Sequence, residues 1–119
     1  MNNDFDVKEI TPLELKERLD SGEIPTLVDV REYHEAEIAD LPAYDQVRIP
    51  TGEFPGRIGE VSADADVVVY CRSGGRSAWA ASILMQMGYD RVLNLKGGVL
   101  GWRAEVDPSL REYLSLIHI

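Results

Sequence analysis

Val67-Val68-Val69-Tyr70 is the segment that most narrows what this chain can fold into. Four consecutive β-branched or aromatic residues, with no polar residue at alternate positions, suit a strand covered on both faces, as in the middle of a parallel sheet. Parallel neighbours need crossover connections, usually helices. The residues that follow supply one. Ala80, Ile83, Leu84 and Met87 recur at i, i+3, i+4 and i+7 and Gly88 closes the pattern, which predicts a helix from Ser77 to Met87.

The same alternation runs along the rest of the chain. Residues 6 to 10 read as a short strand, and Thr11-Pro12-Leu13-Glu14 is a capping box with proline at the first helical position. That helix carries Leu15 and Leu19 on one face, an expected Glu14–Arg18 pair at i,i+4, and a stop at Ser21-Gly22. Thr26 to Val30 is a compact apolar strand, followed by a polar helical segment from Glu32 to Ile38 and a break at Leu41-Pro42. Val47-Arg48-Ile49 is the next candidate strand, Gly52 to Gly59 a short helix or turn, and Arg91 to Leu95 the last strand. Strands alternating with helices define an α/β domain with a mainly parallel central sheet flanked by helices.

The chain has 119 residues, 45% of them hydrophobic, and is expected to form a single domain over 1–119. Twelve Lys and Arg against 21 Asp and Glu give a net charge of −9, which argues against a nucleic-acid partner. No apolar run approaches the ~20 residues that span a bilayer, so no membrane segment is expected. Met1-Asn2-Asn3-Asp4 lacks the basic and apolar regions of a signal peptide, and a lone cysteine cannot form an internal disulfide, which together point to the cytoplasm. The cysteine and two histidines show no metal-ligand spacing, so neither a metal nor an organic cofactor is expected.

That cysteine, Cys71, stands where the apolar strand ends, and Arg72-Ser73-Gly74-Gly75-Arg76-Ser77 follows it. Ligands of parallel α/β sheets gather at the carboxyl ends of strands. Asp29-Val30-Arg31 leaves the strand expected beside it, so the two features should converge. Gly74 and Gly75 let the backbone turn so that several N–H groups face one anion, and the helix after them adds its positive end. A thiolate is such an anion. Arg72 and Arg76 add permanent charge, and these surroundings lower a cysteine below its free value of ~8.5. Against this stands the ordinary role of a free cysteine as a small buried hydrophobe, but a purely structural turn has no need of two arginines and a ring of N–H groups.

Three motifs in order carry a family resemblance. Leu27-Val28-Asp29-Val30-Arg31-Glu32, Cys71-Arg72-Ser73-Gly74-Gly75-Arg76-Ser77 and Asn94-Leu95-Lys96-Gly97-Gly98-Val99-Leu100-Gly101-Trp102 closely resemble the rhodanese-like sulfurtransferases over about residues 7–104. The resemblance implies a rhodanese fold and a cycle in which the Cys71 thiolate takes a sulfane sulfur from a small anionic donor such as thiosulfate, holds it as a persulfide and passes it to an acceptor. The loop from Cys71 to Arg76 has the six-residue length typical of these sulfurtransferases, whereas related cysteine phosphatases place the arginine one residue later. Arg72 is the candidate for donor binding through its paired N–H groups. Arg76 has two candidate roles, donor binding or a carboxylate pair that stiffens the loop. Asp29 and Arg31 are read as structural support, with Asp29 accepting hydrogen bonds from loop backbone or arginine. Lys96-Gly97-Gly98 is a strand-to-helix turn near the pocket, Trp102 a core residue, and His34 an exposed one.

Where many relatives read Gly-His-Ile-Pro-Gly-Ala, this chain has Ala39-Asp40-Leu41-Pro42-Ala43-Tyr44, so the usual histidine is replaced by Asp40. The stretch Trp102 to Leu110 resembles the end of rhodanese domains fused to adenylyltransferases, which implies a sulfur-carrier or persulfide protein as a partner. Leu114 to Ile119 is an apolar end suited to docking on the sheet or to an interface. Two other classes use the same residues: a cysteine-dependent phosphatase or arsenate reductase, and a non-catalytic module that binds a partner protein through the basic loop.

Overall fold

The computed structural model describes residues 6–44 and 46–113. The apolar end 114–119 lies outside the described residues. Five strands form one parallel sheet: β1 (Lys8–Ile10), β2 (Thr26–Asp29), β3 (Gln46–Arg48), β4 (Val67–Tyr70) and β5 (Val92–Leu95), in the order β1-β5-β4-β2-β3. The helices are α1 (Pro12–Ser21), α2 (Phe54–Arg57), α3 (Gly75–Gln86) and α4 (Gly98–Glu105). The polar segment expected to be helical is a 3₁₀ turn at Tyr33–Glu37, and further 3₁₀ turns flank α2 at Thr51–Glu53 and Ile58–Glu60.

β4 lies at the centre of the sheet, and its alternating side chains explain its unbroken apolar sequence. Val68 and Tyr70 enter one core with Leu15 and Leu19 of α1 and Val99 and Trp102 of α4. Val67, Val69 and Cys71 enter the other with Phe54 and with Ala80, Ala81 and Leu84 of α3. Neither face meets water, so no polar position was available. Trp102 is core, as expected, at 2% exposure.

The α1 capping box forms in full: Glu14 N–H donates to Thr11 Oγ1 at 3.1 Å and Thr11 N–H to Glu14 Oε1 at 2.8 Å. This commits Glu14, and the expected Glu14–Arg18 pair does not form. Arg18 instead reaches Asp66 at 2.8 Å, tying α1 to the turn before β4. At α3 the expected register is corrected at both ends. The helix begins at Gly75, two residues early, because the loop itself turns into it. It ends at Gln86, leaving Met87 64% exposed rather than on the apolar face. Among the described residues no helix is long and apolar enough to cross a membrane.

Candidate active site

The register of β2 against β4 pairs Asp29 with Tyr70, so the exits of the two strands lie side by side and Cys71 follows directly from the central one. The convergence expected from the sequence is present. Gly74 caps α3 at φ 118°, a backbone conformation that favours glycine, and this turns the loop back over the sulfur. Cys71 Sγ accepts from Gly74 N–H at 3.1 Å, Ser77 N–H at 3.4 Å and the Ser77 hydroxyl at 3.3 Å. Burial pushes the thiol's pKa up, but these donors, with the Ser73 N–H, outweigh it and hold the thiol below its ordinary value.

Ser77 has one hydroxyl proton and three acceptors within reach: Cys71 Sγ, the Gly74 carbonyl at 3.2 Å and Asn94 Oδ1 at 2.5 Å. Asn94 also donates to the Gly74 carbonyl at 3.2 Å. A buried asparagine on β5 thus braces both the hydroxyl and the cap of the loop. The Ser77→Ala variant should lower the rate of Cys71 alkylation by iodoacetamide at pH 7 about three- to tenfold and move the inflection of its pH profile upward, because a hydrogen bond to the charged form is lost. Stopped-flow alkylation from pH 5 to 9 checks this.

Beneath the loop, the 96–98 turn contacts it directly. Val99 N–H donates to the Cys71 carbonyl at 2.9 Å and Leu100 N–H to the Arg72 carbonyl at 3.0 Å. Gly98 stands at φ 57°, and a Cβ there would press on the Cys71 carbonyl and come within 2.6 Å of the Arg72 backbone. Gly98→Ala should therefore displace the loop, with a loss of about 2–3 kcal/mol in urea unfolding and slower Cys71 alkylation. Unchanged values of both would show that the loop is free of this turn.

Arg76 forms a carboxylate pair. Its guanidinium donates to both oxygens of Glu35 at 2.8 and 3.0 Å. Burial raises the Glu35 pKa, but the bonds from Arg76 and the Glu32 N–H outweigh it and bring it to about 2. A depressed carboxylate stabilises the fold above its unfolded value of ~4.3, and that contribution is lost as pH falls toward the folded value.

Arg31, only 1% exposed, anchors the segment that carries Glu35. Its Nε and Nη2 donate to Asp29 at 2.9 and 3.0 Å, Nη2 also to Asp40 at 3.0 Å, and Nη1 to the carbonyls of Ala39 at 2.7 Å and Glu35 at 3.3 Å. Asp29 thus accepts from Arg31, from Arg48 at 2.5 Å and from the Arg31 N–H at 3.0 Å, but from no backbone group of the 71–76 loop among the described residues. Asp40 is a member of this network: it also pairs with Arg48 and accepts from the Tyr70 hydroxyl at 2.7 Å.

Arg72 is half-buried, with its guanidinium 5.0 Å from the centre of the Tyr113 ring. A cleft of about 220 Å³ is lined by Glu35, Ile38, Arg72, Arg76 and Tyr113, with Glu32 and the exposed His34 at its edge. Ser73 and Gly75 are exposed on the loop. A larger acidic groove of about 550 Å³ runs past Glu9, Glu14, Glu17 and Glu23, and no residue of the loop lines it. Among the described residues no group of three or more acidic, His or Cys side chains could hold a metal. Glu35 and Tyr113 were not singled out by the sequence, and Asn94 stood there only as the head of the third motif, with no role given to it. Asn94 alone left a signal there, a polar residue inside an otherwise apolar strand.

The Rhodanese-like domain family signature matches residues 11–105. The chain belongs to the rhodanese-like family. A sulfurtransferase of Allochromatium vinosum is 47% identical over 96 residues, covering 81% of this chain and 88% of that protein. The probable adenylyltransferase/sulfurtransferase MoeZ of Mycobacterium tuberculosis is 32% identical over 107 residues; the match takes in 87% of this rhodanese-like chain but 26% of MoeZ. Among solved structures, a rhodanese-related protein from Thermoplasma volcanium superposes with a TM-score of 0.74 at 27% identity, covering 83% of this chain and 93% of that one.

Proposed function

We propose that this rhodanese-like protein is a sulfurtransferase in which Cys71 carries the transferred sulfur. The observation that supports this is the sulfur's surroundings: two backbone N–H groups and a hydroxyl converge on Sγ, holding a negative charge on sulfur in a water-poor site. The thiolate attacks the sulfane sulfur of an anionic donor such as thiosulfate, the donor's S–S bond breaks, and sulfite leaves with the electron pair. The persulfide's outer sulfur inherits the negative charge and the same ring of donors. A nucleophilic acceptor then attacks that outer sulfur and the Cys71 thiolate returns. The acceptor in this reading is an outside nucleophile, cyanide in an assay or a sulfur-carrier or persulfide protein in the cell.

The six-residue span from Cys71 to Arg76 supports sulfur over phosphate as cargo, since a shorter ring leaves little room for a tetrahedral oxyanion. Intact mass after brief exposure of the reduced protein to thiosulfate tests the reading. Gain of one sulfur, removed by cyanide, is the expected result. No adduct from thiosulfate or from a small-molecule persulfide donor would overturn it.

A further inference from the structure

Past α4 the chain turns at Asp107 and runs back toward the loop. Arg103 holds this return, its Nε donating to the Leu110 carbonyl at 2.7 Å and its Nη2 to Glu112 at 3.1 Å. The return delivers Tyr113, 9% exposed, to a place between the strand-exit network and the loop. Its hydroxyl accepts from Arg31 at 2.8 Å and donates to Glu35 at 3.3 Å, and its ring faces the Arg72 guanidinium.

The four arginines of this region differ in one respect. Arg31, Arg48 and Arg76 each pair with a carboxylate, whereas Arg72 pairs with none among the described residues, and its buried Nε has no acceptor. Arg72, which follows Cys71 in the chain, is thus the arginine of this region with no carboxylate partner among the described residues. A free arginine samples many rotamers, and a charge that wanders selects weakly. The Tyr113 ring, itself held by burial, gives it a fixed seat by cation–π attraction.

We propose that Tyr113 is a positioning residue that makes Cys71 prefer negatively charged reaction partners by seating the Arg72 guanidinium in the cleft that both ends of the loop, Arg72 and Arg76, line. The biological meaning, selection of anionic sulfur donors, rests on the sulfur-transfer reading above. The charge preference itself does not, and it can be read on the thiol alone.

The test compares Cys71 alkylation by iodoacetate, which is anionic, with that by iodoacetamide, which is neutral, in wild type, Arg72→Gln, Tyr113→Leu and Tyr113→Phe. The ratio of the two rate constants should fall about five- to tenfold in Arg72→Gln and by a similar factor in Tyr113→Leu, while Tyr113→Phe, which keeps the ring, stays within about twofold of wild type. With thiosulfate as the donor, Tyr113→Leu should raise KM and leave kcat nearly unchanged. A merely structural role would slow both reagents together. Thermal melts establish that each variant is folded, and Tyr113→Met replaces Tyr113→Leu if the latter is not. An unchanged ratio in Arg72→Gln, an unchanged ratio in the Tyr113 aliphatic variant, or an equal fall in Tyr113→Phe would each overturn the proposal. The predicted pattern of ratios in a protein that takes no sulfur from any donor would uphold the seating of Arg72 and sink the sulfurtransferase reading instead.

Discussion

Cys71→Ser should take up no sulfur from thiosulfate and lose thiosulfate:cyanide transfer by about 10⁴-fold or more, the scale seen when a covalent nucleophile is removed. The fold should survive. A serine hydroxyl fits the space and can accept from Gly74 and Ser77 N–H, so the buried donors around it stay satisfied. The melting temperature is expected within about 5 °C of wild type, a change of about 1 kcal/mol in a domain this size. The hydroxyl stays protonated at neutral pH, whereas the donors around the thiol outweigh burial and hold it below its ordinary value. Substantial transfer by a folded Cys71→Ser protein would remove the thiolate from the mechanism.

Arg31→Leu should be the most damaging substitution for stability. It strips the buried Asp29 of two hydrogen bonds, takes one each from Asp40, the Glu35 carbonyl and the Tyr113 hydroxyl, and removes the Ala39 carbonyl's bond to Nη1. Breaking one side of a buried ionic network costs about 3–5 kcal/mol, because the remaining charge stays dehydrated. Urea unfolding should show a loss of that order. Removing the stranded charge in Asp29→Asn/Arg31→Leu should recover part of it. A loss below about 1 kcal/mol would mean that Arg48 alone neutralises Asp29, and that Arg31 is replaceable. The Glu35 segment also depends on Arg31, so Cys71 alkylation should slow in parallel.

Much of this molecule can be read from local sequence, and the reason is physical. Val67–Tyr70 betrays its central place because burial on both faces excludes polar residues from every position, a rule that acts within four residues. The loop was legible for a similar reason: the groups that hold the sulfur lie within six residues of it, at Gly74 and Ser77. What stayed hidden depends on partners far along the chain. Glu35 is one of several acids in a polar segment, and only the fold brings it to Arg76, 41 residues on. Tyr113 lies in a tail with no periodicity and reaches Arg31 across 82 residues. Local rules also misled where a stronger competitor existed. The helix-pair rule joined Glu14 to Arg18, but Glu14 serves the helix start and Arg18 finds Asp66. The apolar period was carried as far as Met87, past the point where the chain had already turned out of the helix.

The bonds from the first turn of α4 to the carbonyls of Cys71 and Arg72 have a consequence for how such a site can diverge. They make the circumference of the sulfur-holding ring a shared property of two distant stretches of chain. A residue inserted between Cys71 and Arg76 to admit a bulkier oxyanion would push the ring against the Gly97-Gly98 corner, which has no side chain to yield. Widening the ring and re-seating α4 are therefore one event, and a change of cargo requires coordinated edits some 25 residues apart.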